Sequence, residues 1–263
     1  MTTLADVLAA RRARGRAGFV PFVVAGDPSP AATAGFIKAL AASGADIVEV
    51  GVPFSDPVAD GPVIQAAGQR ALARGMSLER AAGLVKSLRR AGVMVPAILF
   101  TYLNPVLSLG AERFARLCAV SGVSAALIVD LPAEESAPWK KALSARGVEL
   151  VLLASPTTTD ARLRAIGRAS GSLVYYVSRE GVTGVRAGLA PGLAARLGRV
   201  RALAGKPLLV GFGVAEPGQA RALAPHADGV VVGSALVAAA AKGGAAAVKD
   251  LARRLVAALG VSC

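Results

Sequence analysis

The chain has 263 residues, with 30 Lys+Arg against 17 Asp+Glu for a formal net charge of +13, 54% hydrophobic residues, two cysteines and one histidine. A chain this long buries roughly 70–75% of its unfolded surface, so it needs no disulfide or metal as a staple, and barrels of about 250 residues are often single domains. Cys118 and Cys263 are too few for a disulfide framework and point to a reducing compartment, while His226, standing alone, excludes a histidine-rich metal site and a histidine-based triad.

The charge suggests a polyanionic partner, but its distribution argues otherwise. Basic residues such as Arg11, Arg12, Arg70, Arg74, Arg89, Arg90, Lys140, Lys141, Arg253 and Arg254 run along the whole chain, mostly within helical stretches. Aromatic residues that would stack on bases are scarce and are not interleaved with them, so no nucleic-acid partner is expected. The Arg-rich N-terminus faintly resembles a transit peptide, yet Leu4, Val7, Leu8 and Arg11 fit one amphipathic helix. The uncharged stretch 92–111 has membrane-spanning length, but Pro96, Thr101, Asn104, Pro105 and Ser108 make it a buried strand followed by a polar loop. A cytoplasmic protein with no membrane contact is expected.

In chain order, short apolar runs fall at 19–25, 46–50, 97–102, 125–129, 149–154, 173–177, 207–211 and 229–233. Each is continuous, as strands buried on both faces are. Helical stretches alternate with them. Ser29-Pro30, Thr159-Asp160 and Glu216-Pro217 mark starts, and Gly44, Gly92, Gly122 and Gly147 mark ends. The first strand-to-helix turn, Ala25-Gly26-Asp27-Pro28, lacks the glycine fingerprint of a dinucleotide-binding open sheet. These units predict an α/β chain with one domain over residues 1–263: a (β/α)8 TIM barrel with an extra N-terminal helix. The interval from Gly51 to Pro96 is long and predicts an insertion after the second strand, holding an extra helix or a functional loop.

Barrel active sites lie at the C-terminal ends of the strands, which selects among polar residues. Glu49 qualifies: it interrupts Ile47-Val48-Glu49-Val50, where burial should raise its pKa unless a basic side chain pairs with it. Asp56 and Asp60 follow in a Pro- and Gly-rich loop, where either could simply cap a turn. Phe22, Phe100, Tyr102, Leu127, Tyr175 and Phe212 stand in or beside strand ends. Glycine-bearing loops at Gly181-Val182-Thr183-Gly184, Gly211-Phe212-Gly213 and Gly233-Ser234 suggest a phosphate site, with Ser234 capping the following helix. His226 and Lys206 precede strands, at the wrong end, and Cys118 reads as core. No lysine is placed for a Schiff base and no metal site is expected. Carboxylate acid–base chemistry on a phosphorylated, partly apolar substrate remains.

Longer motifs carry a resemblance. They are Phe19-Val20-Pro21-Phe22 with Gly26-Asp27-Pro28, EVGVPFSDPVADGPVIQ beginning at Glu49, Tyr102-Leu103-Asn104-Pro105, Asp130-Leu131-Pro132-Ala133-Glu134-Glu135, Ser178-Arg179-Glu180-Gly181, Gly211-Phe212-Gly213, and DGVVVGS ending at Ser234. Over nearly its whole length the chain resembles the tryptophan synthase alpha subunit. The resemblance implies retro-aldol cleavage of indole-3-glycerol phosphate to indole and glyceraldehyde 3-phosphate. Glu49 matches the general acid/base and Asp60 the acid that holds the indole N–H. Phe22, Tyr102, Tyr175, Thr183 and Phe212 would line the pocket, and Gly184, Gly213, Gly233 and Ser234 would hold the phosphate. The segment 179–188 would form a mobile lid.

The resemblance also implies a partner, a beta subunit in an alpha2beta2 heterotetramer. That subunit would carry pyridoxal phosphate and consume the indole, this chain holding no cofactor. The matching contact surface includes Pro53, Asp56 and Asn104. The chain departs from the common pattern in its basic balance and in Ala215-Glu216, where a small polar cap is usual. A standalone lyase releasing free indole, or a non-catalytic partner-binding module, would share the fold. On this reading the net charge is a background that steers an anionic substrate to the mouth, so kcat/KM should fall as ionic strength rises.

Overall fold

A computed structural model describes residues 2–177, 191–211 and 213–260. Among these, eight parallel strands close into a barrel in sequential order. They are β1 (Gly18–Val24), β2 (Val48–Gly51), β3 (Ala97–Thr101), β4 (Ala125–Ile128), β5 (Glu149–Ala154), β6 (Val174–Val177), β7 (Leu208–Gly211) and β8 (Gly229–Val232), with β8 pairing back onto β1.

The predicted punctuation holds. Ser29 caps α2 (Pro30–Ala42), accepting from the Ala32 N–H, and Thr159 caps α8 (Asp160–Ala169), accepting from the Arg162 N–H. Glu216 precedes α10 (Pro217–Leu223), where Gln219 Oε1 accepts from the N–H groups of Ala215 and Glu216 and so closes a start without a small polar cap. Gly44, Gly92, Gly122 and Gly147 all take positive φ. The long interval after β2 holds a loop and two helices, α3 (Pro62–Ala73) and α4 (Leu78–Arg90).

One expectation fails. The residues after β3 do not form a polar loop but α5 (Leu103–Leu109), followed by α6 (Ala111–Val120). Pro105 lies in the first turn of α5, where its missing N–H would have had no helical acceptor.

Alternation along the strands divides the core. Val20, Ile47, Ile98, Leu127, Val151, Leu173, Tyr175, Leu209 and Val231 fill the barrel interior, while Phe19, Val48, Leu99, Ala126 and Tyr176 pack outward against helices. The N-terminal helix α1 (Leu4–Arg12) inserts Leu4 and Leu8 into the interior cluster from the strand-start end.

Buried acids at that end are paired. Asp46 accepts from the Phe19 N–H at 2.8 Å and from Arg16 at 2.9 Å, and also pairs with Arg11. Asp228 accepts from the Leu208 N–H at 2.7 Å and from Arg201 at 2.9 Å. Asp46 was expected inside β2. It lies before the strand, whose pairing with β3 begins at Val48. Leu8 is fully buried, so Leu8→Ala should lower unfolding free energy by about 3 kcal/mol in urea denaturation, through lost burial and the cavity left behind.

Candidate active site

A cavity of about 220 Å³ opens at the strand C-terminal ends, lined by Phe22, Glu49, Ala59, Asp60, Gly61, Ile64, Phe100, Tyr175, Val177, Gly211, Gly213, Val231, Gly233 and Ser234. Half of these lining residues belong to the strands and the rest to the connections and helix starts that follow them. Phe22 and Glu49 are paired neighbours on β1 and β2, and Phe100 meets Phe22 edge-on with ring centroids 5.4 Å apart. Gly51 leaves room for that arrangement, because a Cβ there would collide with the Phe22 ring.

Glu49 is completely buried, and among the described residues neither carboxyl oxygen has a hydrogen-bond partner. No arginine or lysine lines the described cavity, which removes the alternative of a paired structural carboxylate. Burial pushes its pKa up to about 8. At neutral pH the group is therefore mostly a carboxylic acid, holding a proton it can give.

Asp60 sits half-buried on the connection between β2 and α3. Burial raises its pKa, opposed by a hydrogen bond from the Tyr102 hydroxyl. That hydroxyl also accepts the Ala59 N–H at 3.1 Å. Burial, then Asp60, hold the Tyr102 phenol well above the usual tyrosine range; burial, then Glu49 and Asp60, do the same for Tyr175. Both phenols thus remain hydrogen-bond donors beside the two acids. Two carboxyl groups face one cavity in different settings, one without partners and one hydrogen-bonded, the pattern that separates proton transfer from electrostatic holding.

The structure brings together Glu49, Asp60, Phe22, Phe100, Tyr175, Gly213, Gly233 and Ser234. Tyr102 supports Asp60 from behind the wall instead. Leu127 does not reach the described lining; it is fully buried in the barrel interior. Ser234 is not the cap of α11 (Ser234–Ala258). The Gly233 carbonyl accepts the first helical bonds, from Leu236 and Val237, so Gly233 is the N-cap and Ser234 the first helical residue. The opening turn of the helix still faces the cavity, where backbone N–H groups favour an anion.

Thr183, Gly184, Phe212 and the proposed lid 179–188 lie outside the described residues. Ile64, Val177 and Val231 were missed. The two valines stand at or near strand ends, but as aliphatic residues in apolar strands they carry no local signal that separates them from core. On the rim, Asp56 and Asn104 are exposed, beside Val58 at 76% and Leu107 at 57% exposure. Pro53, expected at a partner surface, is instead buried and lines a narrow crevice with Phe54, Pro57 and Gln65. Among the described residues no group of three or more His, Cys, Asp or Glu could hold a metal ion, and no helix is long and apolar enough to cross a membrane.

A closed parallel barrel with an unpaired buried carboxyl and a second acid at its mouth defines an acid–base enzyme of the (β/α)8 class. The family pattern described as tryptophan synthase alpha chain matches residues 8–260. The chain is 51% identical over 229 residues to the tryptophan synthase alpha chain of Caulobacter vibrioides, covering 87% of this chain and 83% of that one. It is 47% identical over 237 residues to that of Citrifermentans bemidjiense, covering 90% and 88%. A structure of Mycobacterium tuberculosis tryptophan synthase superposes with a TM-score of 0.91 at 36% identity, covering 100% of both chains. The chain belongs to the tryptophan synthase alpha chain family and is a lyase of tryptophan biosynthesis.

Glu49 gives a measurable signature in stability. Its folded pKa of about 8 lies above the ordinary value of 4.5, so the folded state binds more protons between these limits and wild-type stability falls as pH rises through them. Glu49→Gln removes the titration. Its stability relative to wild type should rise from pH 5 to about pH 8 by a few kcal/mol and then level off, as read by denaturant titrations at each pH.

Proposed function

We propose that this chain cleaves indole-3-glycerol phosphate by a retro-aldol reaction in which Glu49 is the general acid/base and Asp60 holds the indole N–H. The observation that carries this reading is the buried Glu49 carboxyl, with both oxygens unpartnered among the described residues and facing a largely apolar cavity.

The protonated Glu49 gives its proton to C3 of the indole ring. Positive charge then spreads to the ring nitrogen, where the Asp60 carboxylate accepts the N–H and stabilises it. The Glu49 carboxylate takes the proton of the substrate hydroxyl adjacent to the ring. The bond between that carbon and C3 breaks, its electron pair returning to the ring, and indole and glyceraldehyde 3-phosphate result. Glu49 ends protonated, as it began. The protonated ring is itself the electron sink, so the reaction requires neither a metal nor an imine.

Phe22 and Phe100 offer apolar faces to the indole, and Gly213, Gly233 and Ser234 line the same cavity where the opening turn of α11 presents backbone N–H groups to the phosphate. No lysine lines the described cavity, and this reading gives the chain no pyridoxal phosphate of its own. The family works with a beta subunit. We place that partner on the rim formed by Asp56, Val58, Asn104 and Leu107, in an alpha2beta2 assembly in the cytoplasm, with indole passed to the partner's pyridoxal phosphate.

Indole formation by the purified chain tests the reading, with and without a beta subunit. Glu49→Gln should lower turnover by at least about 10²-fold and Asp60→Asn by about 10²-fold. Wild-type kcat/KM should decline above about pH 8, as Glu49 loses its proton in the free enzyme. Wild-type rates in both variants would overturn the assignment, and strong activity unchanged by the partner would favour a standalone lyase.

A further inference from the structure

Asp60 lies on an irregular connection between β2 and α3, yet its carboxylate must be aimed to within a fraction of an ångström to stabilise charge on a ring nitrogen. Tyr102 holds the carboxylate from one side. The backbone is held from the other side by a residue the mechanism leaves unused. Gln65, in the opening turns of α3, donates from Nε2 to the Asp60 carbonyl at 2.9 Å and toward the Pro57 carbonyl at 3.4 Å. Both partners are acceptors only, so the amide must present its nitrogen to them.

Gln65 is itself anchored. Its N–H donates to the Gly61 carbonyl at 2.9 Å. Further along the same helix, Arg70 grips the buried Asp27 with two bonds of 2.8 and 3.0 Å, and Arg74 bonds the Pro28 carbonyl. These contacts tie α3 to the loop after β1, giving Gln65 a fixed base. The Asp60 N–H closes the turn on the Pro57 carbonyl at 3.0 Å, so Gln65 holds both ends of the turn that presents Asp60.

We infer that Gln65 is a positioning residue for the reaction: it sets the direction of the Asp60 carboxylate by gripping the carbonyls of Pro57 and Asp60. This rests on the assignment of Asp60 to the indole N–H. Charge reaches the ring nitrogen only as C3 is protonated, so a misdirected Asp60 weakens the transition state more than the bound substrate. Loss of Gln65 therefore falls on kcat rather than on KM.

The test uses the full chain with its beta subunit. Gln65→Met keeps the volume without a donor, and Gln65→Glu keeps the shape while turning an acceptor toward two carbonyls. Each should lower kcat about tenfold, with KM and melting temperature little changed. Gln65→Lys, which keeps a donor, should recover most of the loss. In an Asp60→Asn background, Gln65→Met should cost less than about twofold, because the group it positions is gone. An undiminished kcat, a loss confined to KM, or a full tenfold loss in the Asp60→Asn background would overturn the inference while leaving the role of Asp60 standing. A wild-type rate in Asp60→Asn alone would instead remove the assignment of Asp60, and this inference with it. Should Gln65→Met fail to fold, the contrast between Gln65→Glu and Gln65→Lys decides the question.

Discussion

A carboxyl group buried in protein without a hydrogen-bond partner is among the costliest features a fold can hold, and among the described residues Glu49 on β2 is such a group. The molecule keeps it tolerable by leaving it protonated, with its pKa pushed up to about 8. Everything around it serves that state. The inner faces of the strands supply apolar walls, Tyr175 stays a neutral phenol, and no basic side chain lines the described cavity to draw the proton away.

The opposite end of the same barrel treats acids in the contrary manner. Asp46 and Asp228 are also buried, but each accepts a backbone N–H and is paired with arginines. These pairs tie α1, the Arg16 turn that follows it and α9 (Leu193–Ala204) to the strand starts. Part of the basic excess is thus spent on structure. Stability is concentrated where the strands begin and reactivity where they end, a division that parallel strands allow because all eight point the same way.

Asp60 depends on a different device. It belongs to no strand, and its placement comes from a helix that follows it and a tyrosine from β3's end. The chain must close a connection from Gly51 to α3, fix that helix against the loop after β1, and then grip the connection backwards through Gln65. Rigid elements on either side give an irregular segment the precision a catalytic group requires. The lyase reading uses both devices at once: a proton stored by burial and a carboxylate aimed by its anchors.

The family resemblance alone set Asp60 apart from Asp56; local sequence determined the barrel, its strands to within a residue or two, and Glu49 as an acid inside a strand. These follow from local signals: continuous apolar runs, caps such as Ser29 and Thr159, and an acid interrupting an apolar strand. Local signals also misled. Pro105 read as a loop although a first-turn proline suits a helix, and Ser234 outranked Gly233 as a cap by residue type alone. Tertiary structure decided what surrounds each group: that Glu49 has no partner, that Tyr102 serves Asp60, that Pro53 turns inward, and that Gln65 reaches back. A side chain's environment is made by residues far away in sequence, and in this barrel the wall of one cavity is assembled from residues as distant as Phe22 and Ser234. No periodicity along the chain encodes that meeting; it exists only once β8 has closed against β1.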